Sequence, residues 1–195
     1  MRIIAGQWRG RNLAAPAGIA TRPTAERMRQ ALFDMLAHAP WAEGCLKDAS
    51  VLDGFAGTGA LGLEALSRGA ARAVFIERDR AALVALRANI AACKAEDQAR
   101  VVPGDMLRPP SGSPCGLVFL DPPYALDLVP QAVATLGRAG WFSPAALVVA
   151  ETGRDEILEL PGEKLAERAH GAAVVTVWRM AAALAQNEMS PDARS

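Results

Sequence analysis

Val51-Leu52-Asp53-Gly54-Phe55-Ala56-Gly57-Thr58-Gly59-Ala60-Leu61-Gly62 is the stretch that decides the fold of this 195-residue chain. Val51 and Leu52 open a short apolar strand, the glycines turn the chain, and apolar residues at helical spacing follow. Gly57, Gly59 and Gly62 satisfy the spacing G-x-G-x-x-G, and Glu77 falls at the end of the next predicted strand. Taken alone, the pattern suits a dinucleotide, with Glu77 on ribose hydroxyls. Asp53 redirects that reading, because a carboxylate at the mouth of the glycine turn repels a pyrophosphate.

S-adenosylmethionine meets the same residues on better terms. Its ammonium group needs an acceptor such as Asp53, and its carboxylate suits the N–H groups of a helix N-terminus. Its ribose suits Glu77. Val101-Val102-Pro103-Gly104-Asp105 ends a third predicted strand with another acid, placed to accept from an adenine amino group, and Met106 follows it at the same site. Three acids at three successive strand ends fit this cofactor better than NAD.

Further along, the apolar run Gly116-Leu117-Val118-Phe119-Leu120 reads as a buried strand with Asp121-Pro122-Pro123-Tyr124 at its carboxyl end. Open α/β sheets place their chemistry at that end. An ionised carboxylate and a proline carbonyl are both pure acceptors. Converging on an exocyclic NH₂, they hold both of its protons and draw the nitrogen lone pair out of the base plane. Tyr124, the only tyrosine, offers a face on which a base can stack. Asp121, Pro122 and Tyr124 are therefore the candidate catalytic residues, acting on a nucleobase amine.

Composition bounds the remaining choices. With 51% hydrophobic residues the chain supplies the core of one α/β domain. No apolar run reaches membrane-spanning length, and the start lacks a signal-peptide core. Cys45, Cys93 and Cys115 lack metal spacing and read as reduced thiols of a cytoplasmic protein. His38 and His170 stand far apart, so neither a metal site nor a histidine triad is expected. Formal net charge is zero, but its distribution is uneven. Before Gln30, Arg2, Arg9, Arg11, Arg22, Arg27 and Arg29 face only Glu26. Arginine's planar fork suits phosphate and base contacts.

Residues 2–5 and 11–14 read as a hairpin around Gln7-Trp8-Arg9-Gly10, and Thr24 as the N-cap of a helix. Strands are expected near 51–53, 73–77, 100–103, 116–120 and 145–150, with helices near 59–68, 80–93 and 127–138. Glu156 to Leu160 and Ala172 to Trp178 read as a closing antiparallel pair. The expectation is one domain over residues 1–185: an N-terminal docking hairpin and helix over 1–40, a sheet over 49–179, and a disordered tail over 186–195.

These residues resemble the class I methyltransferases, and among them the RsmD family, which methylates guanine N2 in 16S ribosomal RNA. The resemblance runs from Arg2 to Arg11, through Thr21 to Thr24 and Glu26 to Phe33, to Asp53–Gly59, Leu61–Ala70 and Asp121–Tyr124. The arginine-rich start is its family-specific part. Gly54 departs from the leucine usual in the family, which is expected to loosen the turn without removing a functional group. The resemblance implies a doubly wound, mainly parallel seven-stranded α/β sheet with an antiparallel edge. It implies S-adenosylmethionine held by Asp53, Gly57, Gly59, Glu77, Asp105 and Met106. Arg9, Arg11, Arg22, Arg27 and Arg29 would dock 16S ribosomal RNA within a small-subunit assembly particle, and the protein would act as a monomer. The rival readings are an adenine-N6 methyltransferase on DNA or RNA and a noncatalytic RNA-binding assembly factor, with an NAD-dependent oxidoreductase further off.

Overall fold

A computed structural model describes residues 1–16, 23–123 and 128–184. Strands β1 (Ser50–Gly54), β2 (Arg72–Glu77), β3 (Ala99–Pro103), β4 (Cys115–Leu120), β5 (Phe142–Gly153), β6 (Gly162–His170) and β7 (Ala173–Met180) form one sheet in the order β3-β2-β1-β4-β5-β7-β6. β1 to β5 are parallel, and β7 runs antiparallel between β5 and β6. The chain winds outward from β1 to β3, then returns to lay β4 on the other side of β1. That reversal opens a crevice at the carboxyl ends of β1 and β4.

Both faces of the sheet are covered, which is why its central strands read as continuous apolar runs. Helices α1 (Pro23–His38), α2 (Ala60–Ser67) and α3 (Arg80–Cys93) bury Phe33, Leu66 and Leu86 with Val51 and Phe119 on one face. Helix α4 (Leu128–Arg138) buries Val133 and Leu136 with Leu52, Val118 and Trp141 on the other. α3 starts where the Asp79 side chain accepts from Ala82 N–H at 2.8 Å, and ends at Lys94 in the left-handed region. Both are ordinary capping devices.

Two expectations are corrected. α1 already includes Pro23, so Thr24 lies within its first turn and is not the N-cap; proline's fixed φ suits that position. The strand expected at residues 156–160 is absent. There Leu158 and Leu160 are buried and Ile157 is exposed, and the partner of β7 is the later, charged segment Gly162–His170. An edge strand needs no apolar face, and its charges discourage further pairing. The expected tail over 186–195 lies outside the described residues.

The N-terminal arm is a hairpin with one bridging pair, Arg2 with Asn12. It is fixed to α2 by a buried acid. Glu64, fully enclosed, accepts from Ile4 N–H at 2.8 Å and Ala5 N–H at 3.0 Å, and from Arg68 Nε at 2.8 Å. Ser67 Oγ donates to the Ala5 carbonyl at 2.6 Å and accepts from Trp8 N–H at 3.0 Å. A Cβ on Gly6 would lie 1.8 Å from the Ser67 carbonyl oxygen, so the arm lies directly on the helix backbone.

Glu64→Ala removes the acceptor of two half-buried amide donors and of Arg68 Nε, which keeps Asp34 at 3.8 Å from its Nη1. It should cost about 3 kcal/mol of unfolding free energy, read by urea denaturation, with faster amide exchange at Ile4 and Ala5.

Candidate active site

The site is built at the carboxyl edge of β1, β2 and β4. Asp53 is almost fully buried and accepts from Gly62 N–H at 2.8 Å. Glu77 accepts from Gly57 N–H at 2.7 Å through one oxygen, and from Arg78 and Asp79 N–H groups at 2.8 and 2.7 Å through the other. The two acids thus hold the glycine loop at both ends. Gly57 and Gly59 have φ of 54° and 79°, the left-handed region that favours glycine. Gly62 is needed for a different reason: a Cβ there would approach the Phe75 ring to 2.4 Å, so α2 could not settle onto the sheet.

Asp105 accepts from Leu107 N–H at 3.0 Å and lies 3.9 Å from Arg78 Nη1. Glu77, Asp105, Met106 and Pro122 line a cleft of about 680 Å³. Asp53, Arg29, Asp121 and Glu151 line a second cavity of about 340 Å³. Phe55, Gly57 and Asp121 face both. At Gly54 the space of a side chain is already taken: a Cβ there would come within 2.7 Å of Met106 Sδ. Met106, itself buried, fills that space.

Asp53, Asp121 and Glu151 follow the alternation of Val51, Phe119 and Val149, all of which pack on the face covered by α1 and α2. Burial pushes the Asp53 carboxyl up to about 8, with the charges of Asp121 and Glu77 adding to it and the Gly62 N–H opposing it. Asp121 is also raised, first by desolvation and then by the charge of Glu151. Its carboxylate is crowded by protein, although the residue keeps an exposed edge toward the cavities.

The candidate arginines separate into two groups. Arg9, Arg11 and Arg27 are exposed, and Arg11 Nη1 donates to the Ala92 carbonyl at the end of α3. Arg29 instead is 6% exposed, so it is not part of the outer surface. Its Nη2 donates to the Arg2 carbonyl at 2.6 Å, while its buried Nε has no partner among the described residues. Burial lowers its pKa, and Glu64 and Glu26 partly restore it. Arg22 and Tyr124 lie outside the described residues. Sequence reasoning missed Glu64, Asn89 and Glu151. Asn89 donates to the Thr58 and Ala14 carbonyls at 2.9 and 3.0 Å, tying the glycine loop to the N-terminal arm. The available signal was a polar side chain inside an apolar helical run, as Glu64 is within Leu61 to Leu66.

The sheet order, the glycine loop and the strand-end acids define a class I methyltransferase fold. The family model described as "Conserved hypothetical protein 95" matches residues 1–179. Ribosomal RNA small subunit methyltransferase D of Escherichia coli strain K12 is 44% identical over 154 residues, covering 78% of this chain and 74% of the relative. The protein of the same name from Haemophilus influenzae is 39% identical over 166 residues, 83% of each. A solved structure titled "Putative methyltransferase yhhF from Escherichia coli" superposes with a TM-score of 0.82 at 39% identity, covering 93% of this chain and 98% of that one. The chain belongs to this family, the RsmD family of methyltransferases.

Because the folded carboxyl of Asp53 titrates near 8, far above an ordinary aspartate, the fold holds a proton that the unfolded chain has released. Stability should therefore fall as pH rises from about 4 to about 8, by at most about 1.4 kcal/mol per pH unit from this group. Asp53→Asn should flatten that slope, measured by urea unfolding at several pH values.

Proposed function

We propose that this protein transfers a methyl group from S-adenosylmethionine to the exocyclic N2 amine of a guanine in 16S ribosomal RNA. The observation that carries this reading is the position of Asp121-Pro122 beside the glycine loop, where Asp121 faces both cavities. An acceptor pair there meets an amine, and strand-end acids beside it meet the donor. The named function of the curated relatives, at up to 44% identity, supports ribosomal RNA as the substrate.

The methyl donor is S-adenosylmethionine, which when bound supplies a methyl already activated on its sulfonium. Asp53 accepts from the donor's ammonium group, Glu77 from its ribose hydroxyls and Asp105 from its adenine amine, while the first turn of α2 offers N–H groups to its carboxylate. Asp121 and the Pro122 carbonyl hold the two protons of N2 and aim its lone pair at the methyl carbon. The nitrogen–carbon bond forms as the carbon–sulfur bond breaks, and the amine then releases one proton. Positioning supplies most of the acceleration, and Asp121 stabilises the positive charge developing on nitrogen. Tyr124 is assigned to stacking on the base, which must leave its helix to enter.

Asp121→Ala should lose most turnover on small-subunit particles from cells lacking the gene, while calorimetric affinity for S-adenosylmethionine stays within about twofold. Glu77→Ala should show the opposite pattern, weakening cofactor binding by about 1.5–3 kcal/mol. Retained methylation by Asp121→Ala would remove the tetrapeptide from the mechanism.

The exposed arginines of the N-terminal arm are assigned to RNA docking. Replacing Arg9, Arg11 and Arg22 with alanine should weaken RNA binding and lower the slope of log affinity against log salt by about one for each phosphate no longer neutralised. Titrations across a salt series, with cofactor affinity as the folding control, measure this. Unchanged slopes would place the docking surface elsewhere.

A further inference from the structure

Val175 of β7 pairs with Glu151 of β5 on one side and with Arg168 of β6 on the other. Residues directly opposite in a sheet share a face, so these three form one row on the face that α1 covers. Two strand spacings, about 10 Å, separate Arg168 from Glu151 along it. Between α1 and the β6–β7 hairpin the row borders a cavity of about 380 Å³, which has no part in the methyl transfer itself. Met28, Leu32 and Val175 line both this cavity and the 340 Å³ cavity of Asp121, so the two adjoin along that strip. They differ in charge. Asp53, Asp121 and Glu151 line the first. Arg168 and His170 line the second beside Ala31 and Met35, and no carboxylate lines it among the described residues. The neighbouring acid Glu167 is paired with Lys164 at 3.0 Å. Arg168 is exposed, with Nη1 on the Glu167 carbonyl, and its guanidinium carries further donors. Met28 and Met35 are only half-buried.

We infer that this second cavity receives the nucleotide adjoining the target guanine in the RNA strand, its base packed on Met28 and Met35 and its phosphate met by Arg168. The inference rests on the RNA methyl transfer proposed above and extends it from the target base to its neighbour. A base that enters the first cavity has left its stack, and the nucleotide beside it has lost a stacking partner. The apolar wall of α1 takes that partner's place, because flexible thioether side chains conform to whatever flat face meets them. Phosphates have to follow the base, and the carboxylates of the first cavity repel them. The strand's charge is instead met at the far end of the row, where a planar fork of donors suits phosphate. His170, two positions further along β6, adds a ring N–H at the same rim. An apolar wall and a phosphate contact carry no base code. The cavity therefore sets the course of the strand, and leaves the choice of target to the first cavity.

The experiment puts a benzophenone-bearing amino acid in place of Ala31, an exposed position on the cavity wall. The full chain is irradiated on small-subunit particles from cells lacking the gene. Crosslinks are mapped by primer extension, and the methylated nucleoside is identified by mass spectrometry. Wild type should yield N2-methylguanosine; any other product, or none, overturns the underlying function. Given that product, the crosslink should fall on a nucleotide immediately beside the methylated guanine. A crosslink only to distant RNA, to a ribosomal protein or to a second copy of this chain would overturn the subsite alone, as would no crosslink. Arg168→Ala should raise KM for the particles about fivefold and lower the slope of log affinity against log salt by about one. Its kcat, its affinity for S-adenosylmethionine and its unfolding midpoint should stay those of wild type. Arg168→Lys, which keeps the charge, should restore the salt slope, a readout that a packing role would not move. A wild-type KM and salt slope in Arg168→Ala would overturn the phosphate contact and the inference with it.

Discussion

Two hydrogen bonds fix the shape on which the site depends: Gly62 N–H to Asp53 at 2.8 Å, and Gly57 N–H to Glu77 at 2.7 Å. Each joins a carboxylate at a strand end to one limb of the glycine loop. The loop cannot move without stranding a buried or half-buried acid, so its position is set by the register of β1 against β2. That register runs Asp53 with Phe75 and Gly54 with Ile76. Phe75 in turn packs where a Cβ on Gly62 would lie. The sheet, the loop and the start of α2 are therefore one geometric unit.

The N-terminal arm is tied to the same unit from behind. Glu64 and Ser67 of α2 hold the arm's backbone, while Asn89 of α3 bonds to both Ala14 and Thr58. Arg29 connects α1 to the arm through the Arg2 carbonyl. The surface assigned to RNA and the loop assigned to the methyl donor thus share supports within a few residues. The N-terminal arm and the glycine loop are therefore mechanically linked through α2 and α3.

Much of this was legible in the sequence because it follows from local chemistry. The glycine spacing, strand-end acids and apolar runs located every parallel strand and the acids at the carboxyl ends of β1 to β4, but not Glu151 of β5. What was not legible depended on long-range contact. Nothing local distinguishes Arg29 from Arg27, two positions apart on α1; only the packing of α1 over the sheet makes one buried and the other exposed. The run Ile157-Leu158-Glu159-Leu160 looks more strand-like than Gly162–His170, but edge pairing is satisfied by backbone groups and does not reward an apolar face. Glu151 was hidden for a related reason: its place near Asp121, thirty positions earlier in the chain, comes from the pairing of β4 with β5.

Charge is sorted by place as well as by sign. A chain of zero net charge would ordinarily be a poor partner for RNA, yet here the charge is unevenly distributed. Arginines occupy the outer arm, and carboxylates are gathered at the sheet edge, where burial raises Asp53 and Asp121. On the function proposed above, the arm's cations would draw a polyanion toward the surface, while the acids would meet those parts of it that donate hydrogen bonds. The same carboxylates that would hold an amine would repel a phosphate. Neutrality at the level of the whole chain is thus compatible with uneven local charge, with exposed arginines on the arm that α2 holds and acids at the carboxyl edge of β1, β2 and β4.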